Sequence, residues 1–289
     1  MRTPRRVALR PYTPADQTAV LRLIDADRLA GQPPATPAML TQALNGHSPV
    51  DAQWWAALEE PATEVAVDET GAVTGVVSYA LRRQDDTGLI LWLHCAEDPP
   101  TAGALVQHAV AALAPRTVQA FQIASALSLG LEALPVRNRG ATDEALRRAG
   151  FAGERLWRYM LAPLPAHGLP RAPHVHVRPV DDSARKACRL EIHSGPVVVA
   201  EALVGEPVHG IGVLWWIAVT ESSRGQGLGR ALLGSALDVL AGLGATEAIL
   251  YVDDDAPAGD ARDRTAANRL YESAGFREID RLHSYTRTP

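Results

Sequence analysis

The sequence is poor in cysteine, in lysine and in long apolar runs. It has two cysteines in 289 residues and no Cys-x-x-Cys pair, which excludes a disulfide framework and a cysteine-based metal site. Cys95 and Cys188 both lie in segments that predict buried strands. No apolar run approaches the roughly 20 residues of a membrane span, and no apolar segment follows the basic residues 1–6. We therefore expect neither a transmembrane helix nor a signal peptide, and we expect a cytoplasmic protein.

The sequence also lacks the positive charge that nucleic acids and anionic membranes attract. Its formal net charge is -5, with 33 acidic residues against 28 lysines and arginines. This balance argues against both kinds of partner. A hydrophobic content of 47% and a charged content of 21% are typical of globular proteins. At about 150 residues per domain, the length predicts two domains.

One segment has a pattern that points to ligand binding. Residues 214–220 predict an apolar strand, residues 224–230 a glycine-rich loop, and the residues from Ala231 onward an amphipathic helix. Gly225, Gly227 and Gly229 have no Cβ atoms to keep a ligand away from the backbone. The N–H groups at the start of the helix are unpaired and lie at its positive end. Together they predict a seat for phosphate oxygens.

The spacing of the glycines decides between known phosphate loops. Gly225, Gly227 and Gly229 give G-x-G-x-G, whereas a dinucleotide-binding turn needs G-x-G-x-x-G. A Walker loop needs Lys and then Ser or Thr after its last glycine, but Arg230 and Ala231 follow here. Neither template fits. The remaining alternative is a turn without a ligand, although such a turn needs only one glycine.

A second motif follows about 45 residues later, in the segment Ala266-Ala-Asn-Arg-Leu-Tyr-Glu-Ser-Ala-Gly-Phe276. Together with the run Arg-Gly-Gln-Gly-Leu-Gly, it resembles the GCN5-related N-acetyltransferase (GNAT) family, which binds acyl-CoA. The resemblance implies an α+β fold with a mixed, largely antiparallel sheet flanked by helices. It also implies acetyl-CoA as co-substrate, an amine as acceptor and no metal.

The resemblance further implies a set of site residues. The loop would hold the pyrophosphate, and the pantetheine arm would lie between the strand ending at Val219 and the strand at residues 248–252. Tyr271 would protonate the leaving thiolate, unless it is a core residue of its helix. Asn268 would contact the CoA arm, unless it is a polar surface residue. The predicted acetyl-CoA site consists of Ile217, Ala218, Val219, Arg224, Gly225, Gln226, Gly227, Leu228, Gly229, Arg230, Asn268 and Tyr271.

The sequence departs from the family pattern in two places. Arg264 stands where family members often have Asn, and Val213 stands where some relatives have a Glu that acts as base. The identity of the general base is therefore open, and the candidates are Glu191, His193, Glu201, Glu206 and His209. We expect Trp215 and Trp216 to face opposite sides of the sheet because they are adjacent in a strand. The acidic residues 253–260 are either a solvated loop or an attractant for a cationic amine.

The two halves of the sequence resemble each other. Arg10-Pro11 corresponds to Arg178-Pro179, and the Ala-Gly-Phe ending at Phe151 corresponds to the one ending at Phe276. The second half lacks about 45 residues after its first strand, where the first half has helices. We predict a degenerate GNAT-like domain at 1–162, a proline-rich linker at 163–173 and an acetyl-CoA-binding GNAT domain at 174–289. This tandem arrangement is similar to that of mycothiol synthase.

The comparison of the halves predicts one working site. In an overlay without gaps, the glycine loop falls on residues 101–106, whose side chains would crowd a phosphate, and Leu146 falls on Tyr271. The first half is then a structural or acceptor-shaping copy. We further expect that the first half, or another subunit, walls the acceptor site in place of the missing helices.

These observations predict an N-acetyltransferase of the 2.3.1 class that moves acetyl from acetyl-CoA to a primary amine by direct attack, with Tyr271 as general acid. Two alternatives stay open: a CoA-binding protein without turnover, and a transferase of a larger acyl group. The amine acceptor and the choice between monomer and homodimer are open as well.

Overall fold

The computed structural model describes residues 7–182, 185–253 and 263–289, and the chain divides into two units. The first unit runs to Leu156 and also includes Arg281–Pro289, while the second is Trp157–Asp280. The predicted boundaries at 162 and 174 differ from this division, because the chain passes from one unit to the other inside a strand on both occasions. The acidic stretch predicted at 253–260 lies outside the described residues except for Asp253.

The first unit contains an antiparallel sheet with one parallel neighbour pair. Its elements are β1 (Ala8–Pro11), α1 (Gln17–Ala26), α2 (Pro37–Leu44), α3 (Ala52–Trp55), β2 (Ala62–Val67), β3 (Val73–Arg82), β4 (Thr87–His94), α4 (Pro99–Leu113), β5 (Val118–Ala120), β6 (Leu134–Pro135), α5 (Gly140–Arg148) and the start of β7 (Ala152–Pro163). The strands follow the order β1-β2-β3-β4-β5, and only β4 and β5 are parallel. The end of the final strand of the chain pairs with β5.

The second unit repeats this arrangement. Its elements are the end of β7, β8 (His176–Asp182), β9 (Arg185–Ser194), β10 (Val197–Gly205), β11 (Ile211–Val219), α6 (Leu228–Gly242), β12 (Glu247–Asp253), α7 (Thr265–Ser273) and the start of β13 (Arg277–Arg287). The strand order is β7-β12-β11-β10-β9-β8, and only β11 and β12 are parallel. Leu232, Leu233 and Leu237 of α6 are fully buried against one face of this sheet.

The predicted loss of helices in the second copy is confirmed. In the first unit, a 3-10 turn (Pro14–Asp16) and three α-helices lie between β1 and β2. In the second unit, only residues 183–184 separate β8 from β9, which pair as a hairpin. One face of the β8–β11 sheet therefore lacks the helices that follow the first strand in the other copy.

The overlay that placed the glycine loop on residues 101–106 is wrong. Those residues lie inside α4, and Thr101, Leu105 and Val106 are buried. The connection from β4 to α4 is residues 95–98, whereas the connection from β11 to α6 is residues 220–227. The connection that carries the glycine loop is thus four residues longer than its counterpart in the first unit.

The predicted linker is packed rather than free. Residues 161–163 form the end of β7 and pair with β12, and Pro163 itself lies opposite Glu247. Ala166 and Leu169 are buried in the core of the second unit. Arg171 forms an ion pair with Asp238 of α6, so the whole segment is fixed against that helix. Removing residues 1–165 would therefore also remove a strand from the second unit.

Gly234 of α6 permits this packing. A Cβ atom at Gly234 would collide with the carbonyl oxygen of Pro170 and lie 3.2 Å from the Cβ of Leu169. Ala normally stabilises a helix by about 1 kcal/mol relative to Gly. Here we expect Gly234→Ala to lower the free energy of unfolding by about 2 kcal/mol, because the collision outweighs the propensity. Urea unfolding measures the change.

The matched control for this substitution is Gly242→Ala. Gly242 ends the same helix and has open space where the Cβ atom would lie. This variant should unfold at an equal or higher urea concentration. Destabilisation by both variants alike would mean that contact with residues 169–171 is not the cause.

In the part of the chain that the structure describes, no helix is both long and apolar enough to cross a bilayer. Among the same residues, no three His, Cys, Asp or Glu side chains converge as the ligands of a metal ion would.

Candidate functional site

The parallel strands β11 and β12 diverge in the second unit. They pair from Ile211 with Glu247 to Leu214 with Leu250. Beyond that point β11 continues beside β10 to Val219, and β12 continues beside β7 to Asp253. A gap therefore opens between the two strands, as the sequence predicted, and one backbone edge of β11 faces it.

The backbone alternation identifies which groups face the gap. The N–H of Thr220 donates to the carbonyl of Val199 on the β10 side, at 2.9 Å. Because successive residues of a strand point to opposite edges, Ala218 also faces β10, whereas Ile217 and Val219 face the gap. Two of the three predicted backbone contacts thus lie on the open edge. The Val219 carbonyl already accepts a bond from Nε of Arg224, at 3.3 Å.

The glycine loop needs the backbone freedom of its residues. Gly225 has a φ of 77° and Gly227 a φ of 78°, a left-handed conformation that costs other residues about 1–2 kcal/mol. No atom lies within 4 Å of the place where a Cβ atom would be at either glycine. Gln226 and Arg230 are exposed on the same loop. The loop therefore presents its backbone to open space.

The loop and the first turn of α6 carry a run of uncommitted N–H groups. The first helical bond joins the Ala231 N–H to the Gly227 carbonyl, at 3.1 Å. The N–H groups of residues 225–230 donate to no acceptor in the described chain. With the positive end of the helix dipole behind them, these donors suit the oxygens of a phosphate or pyrophosphate.

Three elements meet at Gly229. A Cβ atom there would lie 3.5 Å from Cγ2 of Val219 in β11 and 3.8 Å from Cδ2 of Leu270 in α7. Tyr271, the next residue of α7, is 8% exposed, and its ring lies edge-to-face with Phe276 at a centroid distance of 6.0 Å. The strand end and the loop are therefore neighbours of α7, the helix that carries Tyr271 about 45 residues later in the sequence.

Burial raises the pKa of Tyr271 to about 12, and the nearby charge of Arg264 opposes the shift. The phenol is consequently protonated at neutral pH. Arg264 precedes α7 and forms an ion pair with Asp253 at the end of β12, 3.0 Å apart. Asn268 is 3% exposed, so it is not a surface residue.

The expectation that Trp215 and Trp216 face opposite sides of the sheet is wrong. A bulge interrupts the register, so that Leu214 pairs with Val204 and Trp216 with Leu203, leaving Trp215 as the extra residue. Leu214 and Ile217 both pack toward α6. Both indoles therefore lie on the opposite face, where Trp215 stacks with Tyr251 at an interplanar angle of 19° and Trp216 is 57% exposed.

Three of the predicted base candidates lie on the face that carries Trp216. Glu201 pairs directly with Ala218, so their side chains share that face. Glu191 and His193 occupy the neighbouring strand, with His193 Nε2 3.3 Å from a Glu191 oxygen. Arg189 donates to Glu201 at 2.8 Å. Val213, at the position of the family glutamate, is buried.

The other two base candidates are remote from the glycine loop. Glu206 and His209 precede β11, and its 9 residues span about 30 Å before the loop begins. Neither side chain can reach a group bound at the other end of the strand.

The corresponding helix of the first unit has no anion seat. Two prolines, Pro99 and Pro100, begin α4 and supply no N–H groups. The next N–H, that of Thr101, donates to the Asp98 carboxylate at 3.1 Å. The Asp-Pro-Pro run in the sequence indicates that this helix start has no free N–H groups, but the overlay of the two halves did not align it with the start of α6.

Comparisons with known proteins agree with this geometry. Residues 192–278 match the family model of the acetyltransferase (GNAT) domain. Mycothiol acetyltransferase of Renibacterium salmoninarum is 35% identical over 77 residues, which are 26% of this chain and 20% of that protein. The matched part thus spans about a fifth of that relative.

Two solved structures are similar over nearly the whole chain. A GCN5-related N-acetyltransferase from Sphaerobacter thermophilus has a TM-score of 0.60 at 18% identity, covering 97% of this chain and 95% of that one. A tandem GNAT protein from the clavulanic acid biosynthesis pathway has a TM-score of 0.63 at 16% identity, covering 97% and 98%. At these identities the likeness shows the fold, which is a tandem of two GNAT units.

Proposed function

We propose, from the premise that residues 192–278 form an acetyltransferase domain of the GNAT family, that the second unit transfers the acetyl group of acetyl-CoA to a primary amine. The observation that carries this proposal is the run of uncommitted N–H groups at residues 225–230, next to the open edge of β11. A pyrophosphate would bind to the loop, and the amide-rich pantetheine arm would pair with Ile217 and Val219 as an added strand does. Both features belong to one continuous surface of the second unit.

In this proposal the amine attacks the thioester carbonyl directly. The bound ammonium first loses one proton to water and becomes a neutral nucleophile. A new C–N bond then forms as the C–S bond breaks, the nitrogen loses a second proton, and the departing sulfur gains one. Backbone N–H groups at the gap would polarise the carbonyl oxygen. The hydroxyl of Tyr271 supplies the proton for the sulfur, and its raised pKa keeps that proton available at neutral pH. Asn268 would support the same side of the CoA arm.

The acceptor would approach from the face that carries Trp216. Glu201 is the carboxylate on that face opposite Ala218, one strand away from the gap where the thioester would lie. Its carboxylate, one oxygen of which accepts from Arg189 at 2.8 Å, would bind a protonated amine, and the exposed indole offers a flat apolar surface on the same face. The amine's proton would then leave through water, because Val213 cannot accept it.

Glu201→Gln tests this acceptor face. We expect the KM for the amine to rise about fivefold, since an exposed charge pair contributes up to about 1 kcal/mol, with the Kd for acetyl-CoA unchanged. Steady-state kinetics with varied amine measure it. Glu206→Gln is the control, because it removes an equal charge from the far end of the sheet. Equal effects of the two substitutions would contradict the assignment.

A screen of primary amines with acetyl-CoA tests the function itself. The expected result is release of the CoA thiol that depends on the amine, with an acetylated amine in the mass spectrum. Acetyl-CoA binding without release for any amine would favour the non-catalytic alternative. Faster release from a longer acyl-CoA would favour the larger acyl group.

A further inference from the structure

An aromatic stack stands at the narrow end of the gap between β11 and β12. The parallel pairing ends at Leu214 and Leu250, so Trp215 and Tyr251 are the first residues of their strands beyond the closure. The centroids of their rings are 6.4 Å apart, and the ring planes are 19° from parallel. Both side chains are half-buried, so a group bound in the gap can touch them. The stack lies on the face of the sheet that carries Trp216.

The neighbouring strands hold this stack in place from both sides. A Cβ atom at Gly205 of β10 would lie 2.6 Å from Nε1 of Trp215, so the indole occupies the space that the glycine leaves. On the other side, Tyr251 lies opposite Tyr159 of β7. The Tyr159 ring is fully buried, and its centroid is 5.5 Å from that of Tyr251. Because close-packed rings resist displacement, the end of the gap has a fixed size.

The opposite face of the gap is closed by the hydrophobic core of the second unit. Leu214, Leu250 and Val252 are all buried in that core, together with the apolar side chains of α6. A group at the end of the gap is therefore bounded by aliphatic side chains toward α6 and by the two rings on the other face. The paired backbones of Leu214 and Leu250 bound it ahead.

The direction of the bound pantetheine arm puts the acyl group at this closed end. The glycine loop follows Val219, at the wide end of the gap, and the arm in the proposed complex pairs with Val219 and then with Ile217. The pyrophosphate on the loop and the sulfur are the two ends of the arm. The sulfur therefore lies toward Trp215, which is about 13 Å from Val219 along β11. The acyl group is bonded to that sulfur and extends toward the stack.

We propose that the stack of Trp215 and Tyr251 limits the acyl group that the second unit transfers to two or three carbons. This limit rests on the function proposed above. The methyl group of an acetyl thioester contacts the rings, whereas each further methylene has to displace a ring or move the thioester away from Tyr271 and the attacking amine. One methylene too many for a closed apolar site changes specificity about tenfold or more. Trp215 and Tyr251 thus determine the acyl specificity without moving a proton.

Calorimetric titration of the full chain with acetyl-CoA, butyryl-CoA and hexanoyl-CoA, without an amine, tests this limit. We expect hexanoyl-CoA to bind at least about tenfold more weakly than acetyl-CoA, with butyryl-CoA between them. Hexanoyl-CoA that binds as tightly as acetyl-CoA, or more tightly, would overturn the limit and leave the proposed function intact. Failure of all three thioesters to bind would contradict the proposed function and the limit together.

The two adjacent tryptophans offer a matched pair of substitutions. Trp215→Ala removes a ring of the stack and should tighten hexanoyl-CoA binding at least about tenfold, because the chain would fill the apolar space that the indole leaves. The Kd for acetyl-CoA should change less than about threefold, since the CoA arm keeps its contacts. Trp216→Ala removes an indole that is 57% exposed and should leave the ratio of the two Kd values unchanged. Equal changes of this ratio in both variants would overturn the assignment.

Tyr251→Leu decides the matter if Trp215→Ala does not fold, as circular dichroism would show. It shortens the other ring of the stack but keeps an apolar side chain next to Tyr159, a milder change to the packing. This variant should tighten hexanoyl-CoA binding about fivefold, because less of the ring is removed. Folded Tyr251→Leu with the same ratio of Kd values as the unmodified chain would overturn the proposal.

Discussion

Replacing Tyr271 with phenylalanine is expected to lower kcat about 100-fold, the lower range for loss of a general acid, without changing the Kd for acetyl-CoA. The substitution removes one hydroxyl from a ring that is 8% exposed and packed against Phe276, so the fold should be retained. Steady-state assays of thiol release measure kcat, and calorimetric titration with acetyl-CoA measures the Kd. Tyr79→Phe, a half-buried tyrosine of the first unit, serves as the control and should keep full activity.

The pH profile distinguishes a proton donor from a packing residue. Because the pKa of Tyr271 is raised to about 12, the acid form persists up to that pH, and activity should not fall between pH 8 and pH 10. Over this range kcat/KM should rise with pH as the amine loses its proton. Tyr271→Phe should show the same rise at a lower level. A descending limb below pH 10 that the substitution removes would contradict the raised pKa.

The second large effect is expected at the glycine loop. Gly227→Ala should raise the Kd for acetyl-CoA at least about tenfold, which corresponds to about 1.4 kcal/mol. The new methyl group would occupy the open space over the loop. Alanine also disfavours the left-handed φ of 78° that Gly227 adopts, so the backbone N–H groups would move out of position. Calorimetric titration measures the affinity.

Gly244→Ala provides the matched control for this loss. Gly244 also has a positive φ, 94°, with open space around the Cβ position, but it follows the other end of α6, about 22 Å from Gly227. Both variants should lose a similar amount of stability in urea, about 1 kcal/mol. Only Gly227→Ala should lose affinity. Equal losses of affinity would show that backbone strain, rather than the loop, determines binding.

The sequence predicted the parts of the site that depend on local pattern. Glycines at alternate positions indicate a loop that exposes its backbone, and the apolar periodicity of the following residues indicates a helix, because both signals lie within about 20 residues. The shortened second copy was visible for the same reason, since whole elements were missing between repeated motifs. The fold was therefore predicted correctly, and the family model of the GNAT domain matches residues 192–278, which contain both motifs.

Other features depended on tertiary structure and were missed. Nothing in the segment Leu214-Trp-Trp shows a bulge, which only the register with β10 defines and which moves both indoles to one face. The proline-rich stretch after β7 had the composition of a linker, yet Gly234 allows it to pack on α6. The boundaries of the two units lie inside β7 and β13. They depend on which strands each part of β7 and β13 pairs with, and the sequence does not specify those partners.

A calorimetric titration of the intact chain with acetyl-CoA tests most directly whether the glycine loop forms the single acetyl-CoA site. We predict one binding site per chain, because the loop of residues 224–230 exists once and α4 begins with Pro99 and Pro100 after the Asp98 cap. We also predict that Gly227→Ala weakens this site. Two sites per chain, or one site that Gly227→Ala leaves unchanged, would contradict it.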